Sequence, residues 1–192
     1  MRKIFGIVCI LLGTLCIIGS VCFVGYNFLE AENAAKLSGS LLQEAQAEIG
    51  NQETQDGTQN MATVKAGEYD CIGILKVPNL ELELPVLTNW SYEKLKKAPC
   101  LYYGSYYEKN FVIAAHNYAS HFGRLSELQA GDLVLFTDAN GTEHYYEVVL
   151  LETLPKNATE EMITSGFDLS LYTCTRGGGN RVTARCRLLE KG

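Results

Sequence analysis

The stretch Asp168–Leu188, DLSLYTCTRGGGNRVTARCRL, carries a thiol at Cys174, a run of three glycines, four arginines and a second thiol at Cys186. Cys174 could close a disulfide with Cys186, pack as a small apolar group, or act as a nucleophile beside a cation. If residues 175–180 form a loop between two antiparallel strands, Cys174 faces Arg181, with Cβ atoms about 5 Å apart. Cys186 then pairs with Leu169, five residues from Cys174, or about 17 Å at ~3.3 Å per residue. A disulfide needs Cα atoms within about 7 Å, so this pairing disfavours a bridge between the two.

Strand parity divides the second strand. Val182, Ala184, Cys186 and Leu188 share one face, while Arg181, Thr183, Arg185 and Arg187 share the other. Cys186 reads as a core thiol. Cys174 shares its face with Ser170 and Tyr172, a polar set expected to be wet at its edge. A guanidinium beside a thiol favours thiolate, yet a structural role for Cys174 stays open on these residues alone.

A thiolate nucleophile needs a group that accepts and donates protons, and the chain has three histidines. His144 lies in an alternating strand and reads as an exposed strand residue. His121, in YASHFGRL, reads as a loop residue. His116 ends the apolar run FVIAAHN, where a strand would place it rigidly and a loop would leave it accessible.

These groups need elements to hold them. After Arg2 and Lys3 no charge occurs until Glu30. About 20 helical residues already span a ~30 Å hydrocarbon layer, and the segment is longer than the apolar core of a cleavable signal peptide. Residues 1–29 are therefore expected to form a single-pass signal anchor with its N-terminus inside, leaving the body outside the cytoplasm, with cleavage near IIGS as the lesser alternative. Residues 30–70 are polar. EAENAAKLSGSLLQEAQAEIG is rich in helix formers and suits a stalk, and NQETQDGTQN suits a flexible linker.

From Cys71 to the end, short β-like runs alternate with turns: CIGILKV, LELELPV, FVIAA, LVLFT, HYYEVVLL and RVTARCRL. Asn140-Gly141 marks a hairpin turn. Helical signals are few and short: SYEKLKKA, RLSELQA and TEEMIT. An all-β domain, a closed barrel or a sandwich, is expected over 71–192. The net charge of −6 argues against a nucleic-acid partner.

Two segments together, AAHNYASHFGRLSEL and LYTCTRGGGNRVTARC, resemble the sortases, membrane-anchored cysteine transpeptidases of mainly Gram-positive bacteria. The family signature is a strand ending in T-L-x-T-C, an upstream His that opens a loop, and an Arg on the strand after the Cys. Here the first motif reads Ser170-Leu171-Tyr172-Thr173-Cys174, with Ser for the first Thr. IGILKVPNLELELPV is similar to the family's opening strands, so the resemblance covers about 71–190.

The resemblance implies a closed eight-stranded β-barrel with a few short helices behind an N-terminal transmembrane helix. It assigns Cys174 as nucleophile, His116 as general acid/base and Arg181 as the transition-state cation, with Arg185 as rival for that last role. Thr173, Tyr172 and Asn117 are the expected substrate-binding residues. The implied substrates are the C-terminal sorting signal of a surface protein, LPxTG-like, and an amine of cell-wall precursor or a pilin lysine. No cofactor is expected, and no metal, since no calcium-loop spacing occurs. A cysteine hydrolase on the same barrel and a non-catalytic membrane-anchored β-domain are the alternatives.

Overall fold

The computed structural model describes residues 2–50 and 61–189. The expected linker NQETQDGTQN, residues 51–60, lies outside the described residues. The chain divides into two compact units, residues 1–33 and 34–192. The first consists of most of α1 (Arg2–Glu48), the one described helix long and apolar enough to cross a membrane.

The second unit contains the last turns of α1, then β1 (Val64–Ala66), β2 (Tyr69–Val77), β3 (Leu82–Leu87), α2 (Tyr92–Leu95), β4 (Cys100–Tyr103) and β5 (Phe111–Ala114). There follow β6 (Leu133–Asp138), β7 (Glu143–Pro155), α3 (Thr159–Ile163), β8 (Leu169–Cys174) and β9 (Asn180–Leu188). Strand pairing runs β2-β3-β4-β5-β8-β9-β7-β6 and returns from β6 to β2, with β1 added beside β2. The expected eight-stranded closed barrel is therefore the fold. Strands β1 and β4 have no counterpart in the sequence reading; at three and four residues they are too short to show a period.

The expected stalk, 30–70, needs correction. Ala34, Ser38, Leu41 and Ala45 are buried at helical spacing, forming one stripe on the end of α1. Leu41 and Ala45 pack in a cluster with Val64, Ala66, Cys71, Ile74 and Leu87. Burial of Leu41 alone contributes about 2 kcal/mol. Polar links add to the seat: Gln46 Nε2 donates to Glu83 at 3.0 Å, and Gly67 N–H donates to the Glu44 carboxylate. The polar composition hid this stripe, because four small or apolar residues among many polar ones suffice to dock a helix. The compact unit thus begins at Ala34, well before Cys71.

Strand β2 is buried on both faces, with Ile72, Leu75 and Val77 in the barrel interior and Cys71 and Ile74 on the opposite side. Its inside-outside alternation slips at a bulge between Cys71 and Gly73. Gly73 is required there, since a Cβ would lie 2.2 Å from the Thr137 carbonyl oxygen. Cys71 and Cys100 both pair with Leu87, one from each side of β3. They are two strand spacings apart, about 9.6 Å, beyond disulfide reach, and both are free thiols.

Candidate active site

Strand β8 delivers Cys174 to its last position, and backbone register fixes what stands on either side. The hairpin pairs Cys174 with Arg181 and Leu169 with Cys186, as the loop length requires. On the other flank β5 runs parallel to β8, pairing Phe111 with Leu169 and Ala114 with Tyr172. The same offset continues past the last pair: Ala115 N–H donates to the Tyr172 carbonyl at 3.1 Å. Thr173 Oγ1 donates to the Ala115 carbonyl at 2.9 Å. One residue further, the offset sets His116 level with Cys174. Cys174 and Arg181 are thus direct cross-strand partners, and His116 follows two residues after the end of β5.

Cys174 is the exposed cysteine of the barrel; Cys71, Cys100 and Cys186 are buried. Burial pushes the Cys71 thiol up to about 11 and those of Cys100 and Cys186 up to about 12. These three remain protonated and unreactive at neutral pH.

The two arginines that compete for the cationic role have different surroundings. Arg181 is half-buried, and its Nη1 donates to the Gly178 and Asn180 carbonyls at 3.1 Å. Its Nε and Nη2 have no hydrogen-bond partner among the described residues. Arg185 is 1% exposed and saturated. It bonds Glu152 at 2.7 Å, Ser170 Oγ at 2.8 Å, and the carbonyls of Glu161 and Met162. On this face Ser170, Thr183 and Arg185 are buried, and the expected wet edge is at Cys174, which is exposed. Period-two parity shows which residues share a face, and here α3 covers that face.

One cavity opens beside Cys174 and another beside Arg181. The larger, about 440 Å³, is lined by Asn117, Phe122, Gly123 and Arg124 of the loop after β5 and by Thr173–Arg176. The smaller, about 20 Å³, is lined by Tyr102, Tyr172, Arg181 and residues 155–162 around α3. Of the three expected substrate-binding residues, Asn117 and Thr173 line the first and Tyr172 the second. Tyr172 is tied into an aromatic ladder, its ring 5.2 Å from Tyr102, which lies 5.5 Å from Trp90. Thr173 is buried, and its hydroxyl clamps β8 to the residue before His116.

Of the other two histidines, His144 differs from its exposed-strand reading, and His121 is the loop residue expected. His144 is half-buried, with Nε2 3.1 Å from Asp138 Oδ2. His121 is fully buried, and neither ring nitrogen has a hydrogen-bond partner among the described residues. Burial, with a smaller contribution from His116, lowers it from 6.5 to about 4. The unfolded chain therefore binds one more proton than the folded one between those values. Stability carried by neutral His121 is whole above pH 6.5 and lost as pH falls through 4, to about 3 kcal/mol. Denaturant titrations should show this loss in the wild type and not in His121→Leu; an equally steep loss in the variant would remove His121 as its cause.

Tyr118 does not stand out in the sequence, and His121 reads there only as a loop residue. Tyr118 stacks on His116 with ring centroids 4.1 Å apart, and lies 5.6 Å from His121. The only trace in the sequence is the spacing His-x-Tyr-x-x-His.

A family model described as the sortase domain matches residues 75–189. The chain belongs to the sortase family. This sortase is 30% identical to Sortase D of Bacillus subtilis (strain 168) over 145 residues, which is 73% of this chain and 71% of that relative. A Sortase D5 transpeptidase of Clostridium perfringens shares the fold with a TM-score of 0.66 at 17% identity, covering 81% of this sortase and 99% of that chain. Sortase C of Streptococcus pneumoniae gives a TM-score of 0.57 at 24% identity, covering 85% and 90%. Membership makes the protein a sortase-family transpeptidase.

Proposed function

We propose that this sortase cleaves the C-terminal sorting signal of surface proteins, an LPxTG-like motif, and joins the acyl part to an amine of cell-wall precursor or a pilin lysine. The observation that carries this reading is the exposed thiol of Cys174, paired across the hairpin with Arg181, on a strand whose parallel neighbour β5 leads into His116. The apolar part of α1 is the membrane anchor, with Arg2 and Lys3 inside and the barrel outside the cytoplasm.

The Cys174 thiolate attacks the scissile carbonyl carbon. Arg181 donates hydrogen bonds to the developing oxyanion. The C–N bond breaks as His116 gives its proton to the departing amine, leaving a thioester on Cys174. An incoming amine attacks that carbon, His116 takes its proton, and the C–S bond breaks to restore the thiolate. The second half retraces the first with a new amine, so leaving and entering nitrogens use the same side of Cys174. That side is His116's, and the loop that follows His116 lines the larger cavity together with Cys174.

The full-length chain in detergent micelles, given a panel of sorting peptides and an amine, should show by mass an acyl adduct on Cys174 and a ligated peptide. Absence of any adduct defeats the reading, and an adduct that only hydrolyses at saturating amine makes the protein a cysteine hydrolase. Thiolate and imidazolium titrate as a coupled pair, so kcat/KM should follow a bell in pH; a rate rising steadily with pH speaks against the pair.

A further inference from the structure

The loop after β5 holds one contact that the proposed chemistry does not use. The rings of His116 and Tyr118 are nearly parallel, 19° apart with centroids 4.1 Å apart. A ring at that distance and angle offers its negative face to the imidazole. We propose that Tyr118 is a positioning residue of the transpeptidation, one that fixes the plane of His116 and stabilises its proton-bearing, cationic form. The inference rests on His116 being the acid/base.

The loop is built to keep that ring still. The Tyr118 carbonyl accepts from His121 N–H and from Gly123 N–H, both at 2.9 Å, and the His116 carbonyl accepts from Phe122 N–H at 3.2 Å. Gly123 permits the closure, because a Cβ there would lie 2.5 Å from the Asn117 carbonyl oxygen and 2.7 Å from that of Tyr118. Buried His121 packs near the phenol as well, its ring 5.6 Å away and inclined by 59°.

The groups that face His116 from elsewhere do not make this contribution redundant. On β8 the Cys174 thiolate favours the imidazolium, and Tyr172 stands two residues before it. On β9 Arg181 opposes a second cation. In the same loop His121 is neutral above about pH 4, and Arg124 is paired with Glu127 at 2.8 Å. The thiolate's support ends when Cys174 is acylated. The Tyr118 ring then still favours the cation that forms as His116 takes the proton of the incoming amine.

The test is a proton NMR titration of the His116 ring in the full-length chain in detergent micelles. A Cys174→Ala background leaves His116 uncoupled from the thiol. Tyr118→Phe, which keeps the ring, should leave the midpoint in place. Tyr118→Met should lower it by about 0.5–1 pH unit, and in the active enzyme the limb of the pH–rate bell that follows His116 should move by the same amount. A Met variant with an unshifted midpoint, or a Phe variant shifted as far as Met, overturns the proposal. If the Met variant does not fold, Tyr118→Trp decides: an unchanged or raised midpoint supports the ring's role and a lowered one overturns it. The titration needs no turnover, so its failure is separate from that of the proposed function, which falls if His116→Ala keeps full activity.

Discussion

The Cys174→Ala chain is expected to form no adduct with a sorting peptide and to lose at least about 10⁴-fold in transfer rate, since removing a nucleophile costs nearly the whole covalent pathway. Its fold should be unaffected, because Cys174 is exposed at a strand end. Cys186→Ala should do the reverse: transfer persists, while the lost core contacts lower stability. Mass analysis after brief alkylation checks the same point in the wild type. Among the four cysteines of the barrel unit, Cys174 alone should be labelled at neutral pH, because the other three are buried with thiols held at about 11 to 12. An alanine variant that still transfers peptide would dispose of the nucleophile.

The second large effect concerns Arg185. Replacing it by Met leaves the Glu161 and Met162 carbonyls and the Ser170 hydroxyl without their donor, and Glu152 without its cation. The expected loss is about 3–5 kcal/mol, read as a lower denaturation midpoint. Arg185→Lys should recover little, because a single ammonium cannot span partners that a planar fork reaches together. Since these bonds pin α3 to the sheet, and residues around α3 wall the cavity beside Arg181, whatever variant folds should also bind the sorting peptide less well. A midpoint shift below about 1 kcal/mol would show that the network is dispensable. Arg181→Met, by contrast, should cost rate with little stability, and this opposite pattern separates the two arginines.

What the sequence showed and what it withheld follow from the range of the interactions. The pairing of Cys174 with Arg181 depends only on a short loop between two strands, so counting residues was enough. His116 stood out as a strand-end histidine, but its alignment with Cys174 arises from a parallel pairing between distant segments, and the motif resemblance supplied it. The burial of Ser170, Thr183 and Arg185 was not legible, because parity groups residues by face without saying which face another element covers. The docking stripe of Ala34, Leu41 and Ala45 was diluted by polar neighbours. The stack of Tyr118 on His116 depends on how one loop closes, and no periodic pattern encodes that.

The clamp between Thr173 and Ala115 joins residues 58 positions apart, and β6, β7 and α3 are all made between them. Pairing over such a span forms late, because the entropy of closing the intervening chain must be overcome first. Until β5 and β8 meet, Cys174 has no imidazole beside it and behaves as an ordinary side-chain thiol. Under the proposed roles of Cys174 and His116, acylation of a nascent chain would wait for barrel closure, and folding would itself be the activation step.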